Sequence, residues 1–219
     1  MASVLITGAN KGIGLELSRQ LRERGDEVIA LCRRASPELE ALGVRLFEGV
    51  DVTDEAALEE VSRKLAGTGI EVLINYAGIL RKETFDRLDF DQIREQFEVN
   101  ALGALRVTSV LSRCLRKGSK IILITSRMGS IGDNSSGGYY GYRMTKAALN
   151  MAGVNLAHDF RSKGVSVAIL HPGLVATGMT GHHGISTSES AAGLISRIDE
   201  VRLEDSGGFW HANGERLPW

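Results

Sequence analysis

The chain has 219 residues, 43% of them hydrophobic and 24% charged, and a formal net charge of −1. That length suffices for one large domain with a sizeable core, while the near-zero charge gives no electrostatic case for a nucleic-acid or anionic-membrane partner. The two cysteines, Cys32 and Cys114, form no CxxC pair, which argues against a disulfide framework or a zinc site and suits a reducing cytosol.

The N-terminus, MASVLITG, runs straight into an apolar strand, so no secretory leader is expected. No apolar run approaches the roughly 20 residues of a membrane span. Short Val/Ile/Leu-rich runs then alternate with amphipathic segments. Strands are expected at Ser3–Ile6, Val28–Cys32, Val44–Val50, Val72–Asn75, Lys120–Thr125 and Ser166–His171, and helices at Ile13–Arg24, Asp54–Leu65, Asp91–Arg116, Tyr142–Lys163 and Ser188–Glu200. Asp54 stands where an N-cap belongs, and Gly25 and Gly164 where glycines stop helices. The tail GGFWHANGERLPW reads as a last strand and a turn at Asn213-Gly214. Near-continuous apolar strands alternating with helices predict a single-domain α/β fold over 1–219, a Rossmann-like doubly wound parallel sheet with helices on both faces.

The first strand ends in Thr7-Gly8-Ala9-Asn10-Lys11-Gly12-Ile13-Gly14, and a helix follows at once. Glycines let the backbone turn tightly and approach a ligand, and the helix start offers unpaired N–H groups to a phosphate. The turn lacks the Lys-Ser/Thr ending of a P-loop, which disfavours nucleotide hydrolysis. Arg33 and Arg34 follow the second strand, with no acid until Glu38, and Lys11 adds a third cation. An acid there reads a free ribose hydroxyl and an arginine a 2′-phosphate, so NADP(H) is expected over NAD(H).

Tyr142 and Lys146 lie four residues apart on an expected helix and share a face. A cation beside a phenol lowers its pKa, which makes the pair a device for moving a proton near neutral pH. Tyr139 and Arg143 offer a competing register, and Ser130 competes with Ser126 as the strand-end serine. Tyr142 is preferred because Lys146 is a compact cation and the helix continues beyond it; Ser126 directly follows the apolar run IILIT. His182-His183 sits on a glycine loop without an accompanying carboxylate or cysteine cluster, so no metal is expected.

In order along nearly the whole chain, these motifs resemble the short-chain dehydrogenase/reductase family, and more narrowly its C-factor or sniffer-type carbonyl reductase branch. The resemblance rests on the Gly8/Gly12/Gly14 turn, Asp51-Val52, Asn75-Tyr76-Ala77-Gly78, Asn100, Ser126, Tyr142-x-x-x-Lys146, and Pro172-Gly173 with Val175 and Thr177. Tyr76 departs from the asparagine usual at its position, and the gap from Ser126 to Tyr142 is longer than usual. The resemblance implies that Asp51 and Val52 contact adenine, and that Asn75, Ala77 and Gly78 border the cofactor. It further implies that Pro172, Gly173, Val175 and Thr177 meet the nicotinamide, that Lys146 also binds its ribose, and that Asn100 holds a water relay. The expected reaction is reversible hydride transfer between nicotinamide and a small-molecule carbonyl or alcohol. Tyr142 acts as general acid, and Ser126 donates to the reacting oxygen. The resemblance also implies a homodimer or homotetramer in the cytoplasm. Two rivals are a dinucleotide-binding signalling protein with little catalysis, and a 3-oxoacyl-carrier-protein reductase. The second is weakened by a substrate loop, ATGMTGHHGISTSES, without Lys or Arg to meet an acidic carrier.

Overall fold

The computed structural model describes residues 1–219. Strand β1 (Ser3–Thr7) leads into α1 (Gly12–Glu23), followed by β2 (Glu27–Cys32), α2 (Pro37–Ala41) and β3 (Arg45–Glu48). Next come α3 (Glu55–Lys64), β4 (Ile70–Asn75), α4 (Phe90–Phe97) and α5 (Ala104–Leu111), the last two joined by a π-helical stretch, Glu98–Gly103. Then follow β5 (Leu115–Ile124), α6 (Tyr140–Arg161), β6 (Ser166–His171), α7 (Thr187–Glu200) and β7 (Gly208–His211).

All seven strands join one sheet in the order β3-β2-β1-β4-β5-β6-β7, and every pairing is parallel. The strands are apolar on both sides because both sides are covered. Val4 and Ile6 of β1 pack in one layer with Leu17 and Leu21 of α1 and Leu194 and Ile198 of α7. Leu5, one residue out of phase, packs on the opposite side with Leu58 and Val61 of α3 and Val107 and Leu111 of α5. Farther along that side, Ile121, Leu123 and Ile169 meet Leu149, Leu156 and Phe160. The expected caps are present. The Asp54 carboxylate accepts the Ala57 N–H at 3.1 Å, and Gly25 and Gly164 take φ of 94° and 66°, values that only glycine adopts without strain.

Two elements differ from expectation. The helix read as Asp91–Arg116 ends at Leu111, passes through the π-helical stretch, and gives way to β5 at Leu115. Leu115 pairs with Ile70 of β4, so a long-range pairing overrides a short apolar pattern that serves helix and strand alike. Helix α2 arises in a stretch without a helical expectation. Ser36 accepts the Leu39 N–H at 3.2 Å, and Pro37 occupies the first position, a local start signal that suffices for one turn or so.

From β1 the chain builds outward to β2 and β3, then crosses to β4 on the other side of β1. That reversal leaves a crevice beyond the C-terminal ends of β1 and β4, where open α/β sheets bind ligands. No helix is long and apolar enough to cross a membrane.

Candidate active site

A cleft of about 780 Å³ opens at this switch point. Its walls come from the ends of successive strands: Gly8, Asn10, Lys11 and Gly12 after β1; Arg33 after β2; Asp51 and Val52 after β3; Ala77 and Gly78 after β4; Thr177 after β6. Ile13, Gly14, Asn75 and Val175 are buried behind these walls, and Asn75 donates to the Thr108 hydroxyl at 3.1 Å. Arg34 is exposed and lies outside the lining, as do Pro172 and Gly173, which are partly buried.

The glycine turn is shaped by contacts that a side chain would block. A Cβ on Gly8 would sit 2.9 Å from the Ala77 Cα, and one on Gly14 would sit 2.4 Å from the Gly8 carbonyl oxygen. The Thr7 hydroxyl ties the turn to β4 by accepting the N–H groups of Tyr76 and Ala77, both at 3.1 Å. Lys11 is the N-cap of α1 but supplies no side-chain cap, so the helix start faces the cleft with its positive dipole end. Arg33 stands at the rim with 72% of its side chain exposed, held only by a 3.7 Å approach to Asp51. A bare helix start, glycine cradles and two cations on one wall fit a phosphorylated dinucleotide.

Gly78 joins the cleft to the buried polar cluster. A Cβ there would lie 3.2 Å from the Asn100 Oδ1 and 3.8 Å from the Lys146 Nζ. Tyr142 and Lys146 are buried on the inner face of α6, at 8% and 4% exposure. The Ser126 hydroxyl is near enough to the Tyr142 oxygen to lower its pKa and accepts the Met128 N–H at 3.1 Å. The Tyr139–Arg143 register serves the loop instead. Tyr139 is the left-handed N-cap of α6, and Arg143 binds the Gly137 carbonyl and the Ser136 hydroxyl. Ser130 is occupied as an acceptor for the Asp133 N–H.

The electrostatics of the pair correct the expectation that Lys146 lowers the Tyr142 pKa. Burial pushes the Tyr142 phenol up to about 12, against a smaller lowering from Ser126. Burial pulls Lys146 down to about 8. The ammonium sits 5.7 Å from the centre of the phenol ring and donates to the Ile124 carbonyl at 2.9 Å. The loss of water around both groups therefore outweighs their attraction. Near pH 7 the phenol keeps its proton and the lysine its charge.

Asn100 lies in the π-helical stretch, a distortion common at functional sites. Its amide brackets Ile79, accepting the N–H at 2.8 Å and donating to the carbonyl at 2.9 Å, and it also reaches the Thr145 hydroxyl at 3.1 Å. The side chain thus fixes the strand end beside the cleft, with one acceptor position of its Oδ1 still open.

Residues 2–186 match the family model described as short chain dehydrogenase. The chain belongs to that family. A 1-hydroxy-2-glutathionyl-2-methyl-3-butene dehydrogenase of Rhodococcus sp. (strain AD45) is 44% identical over 226 residues, covering the whole of both chains. The C-signal protein of Myxococcus xanthus is 40% identical over 154 residues, 68% of this chain and 93% of that protein. An NADPH-bound carbonyl reductase from chicken fatty liver superposes with a TM-score of 0.90 at 30% identity, covering 100% of this chain and 99% of that one. The chain is accordingly an oxidoreductase of this family, similar to C-signal and to carbonyl reductases.

Sequence reasoning assigned no role to two residues on this dehydrogenase scaffold. The Thr7 hydroxyl, a link between β1 and β4, was legible only as part of the glycine motif. Tyr76 lines the cleft with its ring against the glycine turn; its departure from the motif's usual asparagine was the available signal. His182 lines the cleft with a left-handed φ of 64°, while His183 is exposed.

Proposed function

We propose that the protein is an NADP(H)-dependent carbonyl reductase whose proton donor is Tyr142. The observation carrying this reading is the juxtaposition, through Gly78, of a dinucleotide-shaped cleft with a buried Ser126–Tyr142–Lys146 cluster. In this reading Lys11 and Arg33 hold a 2′-phosphate, the glycine turn takes the diphosphate, and Asp51 and Val52 border the adenine. Pro172, Gly173, Val175 and Thr177 frame the nicotinamide. When bound, the nicotinamide supplies or accepts the hydride. Tyr142, kept protonated by burial, gives its proton to the oxygen on which charge develops. Ser126 donates to the same oxygen and orients it. Lys146, still cationic near pH 7, stabilises the phenolate left after transfer and binds the ribose. Asn100 holds Ile79 and Thr145 in place and helps hold the water relay that recharges Tyr142.

The name of the Rhodococcus relative favours a second substrate class, a primary alcohol carrying a glutathionyl group, oxidised in the reverse direction by the same residues. A signalling role without catalysis is opposed by the complete buried cluster. A cytoplasmic setting fits the two free, buried cysteines. A homodimer or homotetramer fits the exposed Leu102, Leu105, Met144 and Met151 on the helices of one layer.

The expected result is NADPH oxidation, followed by absorbance, with at least some members of a panel of ketones, aldehydes and quinones. NADP⁺ reduction is the corresponding test for glutathionyl alcohols. NADPH should exceed NADH in kcat/KM by about tenfold or more, and Arg33→Ala should narrow that ratio, since a charge-assisted phosphate contact is lost. No turnover across both panels would sink the enzymatic reading; an unchanged ratio in Arg33→Ala would sink the role of Arg33.

A further inference from the structure

Tyr76 stands where the turn, the cleft and the catalytic cluster converge. Its ring lies against the underside of the glycine turn, where a Cβ on Gly14 would come within 2.7 Å of a ring carbon. Its hydroxyl lies 3.6 Å from where a Gly12 Cβ would be, and the Thr177 methyl lies 3.6 Å from the same point. Gly12, Tyr76 and Thr177 all line the cleft. Burial raises the pKa of the phenol, and the nearby N–H groups of Ile13 and Gly14, at the start of α1, offset part of that rise.

The ring is held in this position: tight packing against Gly14 fixes it from one side, and the Thr7 hydroxyl accepts its backbone N–H at 3.1 Å. A phenol O–H is a donor, and this one lies beside the glycine turn on the cleft wall.

We infer that Tyr76 is a further dinucleotide-binding residue, whose phenol O–H stands beside the glycine turn in the cleft and donates to a phosphate oxygen of the cofactor. The asparagine that the family's motif usually has at this position is shorter and presents no such hydroxyl. The inference rests on the dinucleotide reading of the cleft and adds a contact to it. It makes Tyr76 part of the cofactor site, distinct from Tyr142, which acts on the substrate.

The test is cofactor binding rather than turnover. NADP⁺ and 2′-AMP, which shares the adenine and 2′-phosphate but lacks the diphosphate, are titrated calorimetrically into wild type and Tyr76→Phe. The expected result is about a tenfold weaker Kd for NADP⁺ in Tyr76→Phe, with the Kd for 2′-AMP unchanged, as befits one lost charge-assisted hydrogen bond. Unchanged or tighter NADP⁺ binding, or equal losses for both ligands, would overturn the role of Tyr76. Failure of the wild type to bind NADP⁺ at all would overturn the dinucleotide reading itself, so the two failures are distinguishable. If the phenylalanine variant does not fold, 3-fluorotyrosine at position 76, a stronger donor of the same shape, should tighten NADP⁺ binding; no tightening overturns the proposal.

Discussion

Tyr142→Phe should lower kcat by about 10³-fold while leaving the Kd for NADP(H) within about twofold, because it deletes one proton donor and no cofactor contact of comparable strength. The phenol sits at 8% exposure on the inner face of α6, with the Ser126 hydroxyl close to its oxygen. Phenylalanine fills the same space, so the loss reads the proton and not the packing. With its pKa pushed up to about 12 by burial, the wild-type phenol enters the reduction protonated. The reductive rate should therefore show no loss from Tyr142 ionisation between pH 6 and 9. Steady-state kinetics and cofactor titration of the purified variant decide the matter. Turnover near the wild-type value would remove Tyr142 from the mechanism.

Lys146→Met should abolish most turnover yet raise the thermal midpoint of the cofactor-free protein at pH 7. The ammonium is almost fully buried and is held by one carbonyl, that of Ile124. Burial lowers its pKa from 10.5 to about 8. Between about pH 8 and 10.5 the unfolded chain holds this proton and the folded chain does not, so stability rises with pH across that window. Below pH 8 the folded state bears the whole penalty, roughly 3 kcal/mol for a shift of this size. Leaving the Ile124 carbonyl without its donor returns about 1 kcal/mol of that. The variant should thus be more stable at pH 7 by roughly 2 kcal/mol, a midpoint higher by on the order of 4–8 °C. The advantage should shrink as pH rises from 8 toward 10. Thermal scans at pH 7 and pH 9.5 provide the check; a variant less stable at pH 7, or an advantage that does not shrink, would show that the wild-type lysine is not under strain. A residue whose removal stabilises the fold is kept for its chemistry.

Much of this architecture was legible because its signals are local. The apolar runs of β1 and β6 are buried at every position, and their lack of alternation announces a sheet covered on both faces. Gly8 and Gly14 are legible because any Cβ there meets backbone. The Tyr142–Lys146 spacing gives the shared helix face directly. What escaped depends on contacts between distant segments. The end of the helix after Leu111 is set by the pairing of Leu115 with Ile70, 45 residues earlier in the chain. Arg33 and Arg34 are indistinguishable in sequence, yet only Arg33 lines the cleft. The direction of the Tyr142 shift escaped because spacing reports a nearby cation but not the water that folding removes from both groups. Tyr76 escaped because the residues its side chain meets, Gly12 and Gly14, lie on another element.

The central claim is direct hydride transfer from nicotinamide to a carbonyl carbon, completed by a proton from Tyr142. It is tested most directly with NADPH carrying deuterium at its transferable C4 position, incubated with the carbonyl panel and followed by mass spectrometry of the alcohols formed. The account predicts one deuterium on the carbinol carbon of each product from the wild-type enzyme, and no product above background from Tyr142→Phe in the same time. Unlabelled alcohol from the wild type, or equal labelled product from both proteins, would contradict it.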